Sequence, residues 1–256
     1  MRSERLTASS ADREFTAKLT LPKGSGPFPA IVCIHPANDP SRDHFLFLHL
    51  EALLPPLGIA VARFDRRGSD VPFVDQARDV EAVLDALAAR PDIDAARIGL
   101  WGFSQGAWIA PLVASRSAQG ARVAFLILVA VAGVSPAEQL RYVTAKQAGA
   151  DRQGALEVEA PPTLGVASED LDFDPVPLIA AVHVPTLLFY GEDDEWQPTD
   201  ASVAAWEQAG TRDLMIARIP KTGHAPTAPG GTDVASVLPR YTDTLGAWIT
   251  RVCRTV

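Results

Sequence analysis

Short apolar runs alternate with helix-period stretches along almost the whole chain. Residues 30–34 (AIVCI), 59–64 (IAVARF), 97–101 (RIGLW), 123–131 (VAFLILVAV), 186–190 (TLLFY) and 214–219 (LMIARI) have the length and content of buried strands. Residues 16–21 alternate polar and apolar positions and predict an exposed edge strand. Between them, 74–89 carries Val74, Ala77, Val80, Leu84, Leu87 and Ala88 on one face, at the helical period of about 3.6. Residues 44–54 are rich in Leu and Phe and stop at Pro55-Pro56. Helical patterns also cover 105–117, directly after the third strand, and 202–208 and 238–252. Strands that are apolar on both faces, alternating with helices, predict an α/β fold: a mostly parallel central sheet with helices on both faces.

One segment breaks the rhythm. Residues 135–175 hold no convincing strand and one amphipathic helix around 136–148. They carry eight acids against three bases, and so most of the net charge of −8. A connection of this length in a compact domain is a lid or binding loop, or a solvated excursion. The expectation is a single domain over 1–256, with 135–175 a small lid insertion above the sheet, its acids placed to repel anionic substrates.

Composition narrows the function. The 256 residues are 47% hydrophobic, enough for one well-buried core and unlike a disordered chain. The acidic balance gives no electrostatic footprint for nucleic acid or anionic lipid. Two cysteines make neither a disulfide framework nor a zinc site. Residues 1–18 are charged and lack an apolar signal core, and the longest apolar run, 123–134, is too short to span a bilayer. A soluble, cytoplasmic protein without membrane partner, metal or cofactor is expected; the oligomeric state is left open.

The chemistry concentrates in three places. Gly102-Phe103-Ser104-Gln105-Gly106 follows a strand and opens a helix. At about 7% usage each for Gly and Ser, such a pattern arises by chance in roughly one chain in ten, so the strand-turn-helix setting carries the argument. In that setting Ser104 stands on a sharp, strained turn, with glycines where side chains would collide, and the Gln105 N–H at the helix start faces an oxyanion. A serine hydroxyl needs a base. Of five histidines only His224 lies in a short loop after a late strand, in Pro220-Lys221-Thr222-Gly223-His224-Ala225-Pro226. Between them comes Gly191-Glu192-Asp193-Asp194-Glu195-Trp196-Gln197-Pro198, in which one of four acids is expected to be buried against His224 and the rest solvated. Trp101, Trp108 and Trp196 flank these elements; Trp196 is the best pocket-lining candidate of the three.

The stretches AIVCIHP, RFDRRGS, GLWGFSQG, TLLFYGEDDEWQP and PKTGHAP, in this order, resemble the α/β-hydrolase superfamily in its bacterial carboxylesterase and dienelactone-hydrolase-like branch. The likeness runs over nearly the whole chain. It implies that the acid, three residues after the glycine, is Asp194 rather than Asp193. It also implies a second oxyanion N–H from the turn after residue 34. Here that turn reads His35-Pro36, and proline has no N–H, so the donor falls to Ala37 or Asn38. Asp65-Arg66-Arg67-Gly68 resembles a structural turn and is given a packing role. The resulting expectation is a serine hydrolase that cleaves a small-molecule carboxylic ester, lactone or thioester through an acyl-enzyme, with Ser104, His224 and Asp194 catalytic and Gln105 and Ala37 holding the oxyanion. The same triad also serves acyltransferases and peptidases. A non-catalytic binding module on this fold would usually lack part of the triad.

Overall fold

The computed structural model describes residues 1–37, 39–68, 71–117, 123–147, 165–211 and 213–255. Eight strands form one sheet in the order β1-β2-β4-β3-β5-β6-β7-β8. They are β1 Arg2–Ser10, β2 Arg13–Leu21, β3 Phe28–Ile34, β4 Ala60–Phe64, β5 Ile93–Phe103, β6 Leu126–Val129, β7 Thr186–Gly191 and β8 Leu214–Ile219. β1 and β2 pair antiparallel with each other and β2 with β4; every later pairing is parallel. The helices are α1 Phe45–Leu53, α2 Phe73–Ala88, α3 Gly106–Ser117, α4 Pro136–Gln147, α5 Val176–Ala180, α6 Thr199–Gln208 and α7 Pro239–Thr255.

Alternation along the strands divides the core into two layers. Ala30, Val32 and Ile34 of β3 face one side, where α2, α3 and α6 cover them with side chains such as Val83, Ile109 and Trp206. Ile31 and Cys33 face the other side, against Phe47 of α1 and Tyr241, Trp248 and Ile249 of α7. The central strands are buried throughout, as a parallel sheet with two helix layers requires. Each fully buried Leu, Ile or Phe there contributes roughly 1.5–3 kcal/mol.

The strand at residues 16–21 differs from expectation. It belongs to the longer β2, which lies inside the sheet, and the edge is β1. β1 pairs with β2 from Arg2↔Leu21 to Ser10↔Arg13 across a two-residue turn. It buries only Leu6 and Ala8, so its sequence RLTASS reads as polar chain rather than as strand. α2 also differs: Ala88, expected on its apolar face, is exposed, and Asp79 is buried within that face. Its carboxylate accepts from Arg67 at 2.7 and 2.8 Å and lies 2.9 Å from Arg13. That pairing ties the turn after β4 to α2 and to the β1–β2 hairpin.

Candidate active site

The C-terminal ends of the parallel strands converge on one point. Ser104 follows β5 with φ 53°, in the left-handed region that L-residues rarely adopt. The turn closes only with glycine on both sides. A Cβ on Gly102 would lie 2.4 Å from the Gly106 carbonyl oxygen, and one on Gly106 2.4 Å from the Ile34 carbonyl oxygen. The Ser104 N–H is held by the Val129 carbonyl at 2.9 Å, and the Ser104 carbonyl accepts from Ala107 as α3 begins.

β7 ends at Gly191, where a Cβ would meet the Gly223 carbonyl oxygen at 2.1 Å. This close approach brings the loop after β7 against the loop after β8. The Asp193 N–H donates to the Thr222 carbonyl at 3.0 Å and leaves its own carboxylate in solvent. Asp194 turns inward with a fully buried side chain. Its Oδ2 and Oδ1 lie 2.9 and 3.1 Å from His224 Nδ1, and Oδ1 also accepts from the Trp196 N–H at 2.8 Å. His224 Nε2 lies 2.9 Å from Ser104 Oγ. A carboxylate only accepts, so Nδ1 carries the ring proton and Nε2 is left to accept from the serine hydroxyl. Ser104, His224 and Asp194 thus form one continuous hydrogen-bonded chain. The His224 ring sits between Phe103, with centroids 5.2 Å apart, and Trp196, at 6.2 Å.

The chain opens into a cavity of about 240 Å³. Ala37, Gln105 and Trp196 line it, as does Trp108; Trp101 does not. Trp101 lies in the opposite layer, donating from Nε1 to the Tyr241 hydroxyl at 2.9 Å. Asn38 lies outside the described residues. Among those described, no group takes up the N–H of Gln105 or of Ala37. The Ala37 carbonyl accepts from Arg66, as does Gln105 Oε1, and Gln105 Nε2 donates to the Gly165 carbonyl at 2.6 Å.

Several wall residues escape the sequence reading. Pro136, Gln139, Leu140 and Val143 of α4 face the cavity, joined by Val166, His44 and Asp39. The four α4 positions fall at i, i+3, i+4 and i+7, the one-face spacing of a helix; that signal is legible, but where the face docks is not. Of the eight acids in the segment expected to guard the entrance, Asp151, Glu157 and Glu159 lie outside the described residues. Glu138, Glu169, Asp170, Asp172 and Asp174 are absent from the wall, and residues 148–164 of the segment lie outside the described residues. Asp170 instead turns into the protein, accepting from the Phe73 N–H at 2.7 Å, and burial raises its pKa. The carboxylate that does line the cavity is Asp39, and no Lys or Arg is on the described wall.

His35, at the base of the Ala37 turn, has no exposed surface and packs edge-on against Phe47 and Phe64. Burial, with the charge of Arg66 and of His44 adding to it, pushes its pKa from 6.5 down to about 3. The folded chain therefore holds it neutral while the unfolded chain protonates it, so stability falls as pH drops from 6.5 towards 3. Each unit of pH in that window costs about 1.4 kcal/mol. Urea unfolding at pH 7 and pH 4.5 should show the wild type losing about 2–3 kcal/mol more than His35→Leu. Parallel losses in the two proteins would refute this account.

A mostly parallel sheet between two helix layers, with a serine elbow after β5, an acid after β7 and a histidine after β8, defines an α/β-hydrolase fold. Solved structures agree. The esterase domain of a Rhodothermus marinus protein is similar with a TM-score of 0.69 at 19% identity, covering 98% of this chain and 99% of that one. EstE1, a thermostable carboxylesterase from a metagenomic library, is similar with a TM-score of 0.70 at 17% identity, covering 99% and 88%. The chain belongs to the serine hydrolase (FSH1) family, whose model matches residues 69–224. Esterase EstD of Thermotoga maritima is 28% identical over 227 residues, 78% of this chain and 55% of that protein. The chain thus spans about half the length of that relative. Among the described residues, no helix is long and apolar enough to cross a membrane.

Proposed function

We propose that this protein hydrolyses carboxylic esters of small, mainly apolar, uncharged molecules through an acyl-enzyme. The observation that carries the reading is the unbroken chain from Ser104 Oγ through His224 to Asp194 at the mouth of an apolar cavity. Ser104 Oγ attacks the ester carbonyl carbon as His224 Nε2 takes its proton. The carbonyl oxygen becomes an oxyanion facing the Gln105 and Ala37 N–H groups, each such donor being worth on the order of 10²–10³ in kcat. Collapse of the tetrahedral intermediate breaks the bond to the alcohol oxygen, which leaves with the proton from His224. Water, deprotonated by His224, then attacks the acyl-enzyme and releases the acid and Ser104. Asp194 fixes the histidine tautomer and stabilises the imidazolium.

α4 and Val166 support reading 135–175 as a cover over this cavity. Phe103, Trp108, Leu140, Val143 and Trp196 suit an apolar acyl or alcohol group. Cys33 and Cys253 are free and buried, which fits a reducing, cytoplasmic setting.

The test is a panel of p-nitrophenyl esters of rising acyl length, run beside lactones, thioesters and peptide amides. Short and medium esters should give the highest kcat/KM. A matched carboxylate-bearing ester should be turned over at least about tenfold less well, because it meets Asp39 and no basic partner. That gap should shrink as salt shortens the Debye length from about 8 Å. A higher rate on amides, or transfer to an added alcohol well above hydrolysis, would replace this reading by a peptidase or an acyltransferase.

A further inference from the structure

Arg66 is buried at 8% exposure in the turn after β4. Among the described residues, no carboxylate lies within ion-pair distance of it, whereas its neighbour Arg67 is doubly paired with Asp12 and Asp79. Arg66 spends its fork differently. Nη1 donates to Gln105 Oε1 and Nη2 to the Ala37 carbonyl. Gln105 and Ala37 belong to separate loops, after β5 and after β3, and they are the two residues whose free N–H groups face the reacting carbonyl in the proposed reaction. The knot extends one step further. Gln105 Nε2 donates to the Gly165 carbonyl at 2.6 Å, and Gly165 packs so closely on Ala37 that a Cβ there would lie 3.2 Å from the Ala37 Cβ.

The physical consequences are two. A planar fork that reaches both loops fixes their separation, and a hole for an oxyanion works only when its donors are already in place. A buried charge with no carboxylate in direct contact is costly to the folded state, and Asp39 offsets it only from a distance. Yet here it lies against the Ala37 carbonyl and the Gln105 side chain, beside the donors that meet negative charge in the transition state and not in the ground state. Such an interaction raises kcat rather than tightening substrate binding.

We propose that Arg66 is the positioning residue of the oxyanion hole, holding the Ala37 and Gln105 loops in register and supplying a positive charge behind them. The inference rests on the ester-hydrolase reading above. Burial lowers the guanidinium pKa to about 10, so the side chain stays charged at neutral pH. The anchoring of Arg67 to Asp79 and Asp12 keeps the turn in place, so the Arg66 side chain can be changed without releasing its backbone.

The experiment compares wild type, Arg66→Met and Arg66→Lys. Its readouts are kcat and KM on a good ester, the affinity of a boronic acid that forms a tetrahedral anion on Ser104, the affinity of a non-reacting amide isostere of the substrate, and the thermal midpoint. Arg66→Met should lose about 10²-fold in kcat, the scale of one oxyanion donor, with KM within about threefold. Boronate affinity should fall in step with kcat, while the amide isostere binds as before. Arg66→Lys keeps the charge but not the fork, and its loss should be nearer tenfold; if the Met variant does not fold, Lys carries the test by the same split between boronate and amide. An unchanged kcat, or a KM that rises and an amide affinity that falls together with the loss of kcat, would overturn the proposal. So would recovery of full activity at a temperature where the variant is folded. The underlying reading is judged separately, on wild type: no ester turnover and no fluorophosphonate label on Ser104 overturns both, whereas a fully active wild type with an indifferent Arg66 overturns this inference alone.

Discussion

Ser104→Ala should lower kcat on the best ester by on the order of 10⁴-fold or more, because the members of such a triad act as a unit. The substitution removes the one atom placed to attack, which lies 2.9 Å from His224 Nε2, and leaves that nitrogen without a proton to accept. What activity remains comes from the oxyanion donors and from binding. The fold should hardly notice. The strain at φ 53° is a backbone property shared by Ser and Ala, and the Ser104 N–H and carbonyl keep their bonds to Val129 and Ala107. The thermal midpoint of the variant should therefore stay within a few degrees of wild type. A fluorophosphonate probe should label the wild type once, at Ser104, and the variant not at all. Label on another serine, or kcat within tenfold of wild type, would move the nucleophile elsewhere.

The elbow was readable because its constraint is local. A strand, a turn too tight for side chains at two positions, and a helix start are all spelled within residues 97–117, and the close contacts at Gly102 and Gly106 express the same sterics in space. Features that depend on partners distant in sequence are not spelled in the local residues, and Asp194 is reached only through the family resemblance. Residues 192–195 show four adjacent acids, and nothing in the residues themselves separates them. The choice is made by the Thr222 carbonyl and the Trp196 N–H, which turn Asp193 outward and Asp194 inward. Likewise Asp79 looks like a flaw in an apolar helix face until Arg13 and Arg67 arrive from the hairpin and the β4 turn. β1 was invisible because an edge strand with two buried side chains is held by its backbone ladder to β2 rather than by apolar content. The charge of 135–175 leaves the placement of its acids open for a related reason. Net charge counts acids without saying which way they face, and α4 presents Gln139, Leu140 and Val143 to the cavity while Asp170 is spent on the Phe73 amide.

Asp194→Asn should cost roughly 10³–10⁴-fold in kcat, while Asp193→Asn should stay within about twofold of wild type, as surface changes away from the chemistry do. The asymmetry follows from hydrogen-bond capacity. Asp194 Oδ1 accepts from the Trp196 N–H and from His224 Nδ1, and Oδ2 accepts from Nδ1 as well. Asparagine has one acceptor oxygen. With that oxygen kept on the Trp196 N–H, its amino group takes the Oδ2 position and faces Nδ1 at 2.9 Å, donor against donor. The imidazole escapes by moving its proton to Nε2, and that tautomer donates to Ser104 instead of accepting from it. Flipping the amide restores the Nδ1 contact but sets the amino group against the Trp196 N–H in a side-chain environment with no exposed surface. Either way the loss should fall on kcat rather than KM, since no group touching the cavity wall has changed. Glu192→Gln and Glu195→Gln, on exposed side chains of the same loop, are the matched controls for removing a negative charge nearby. Equal losses at Asp193 and Asp194, or a loss at Asp194 matched by these controls, would mean that the field of the acidic loop matters and that the Asp194–His224 bond does not.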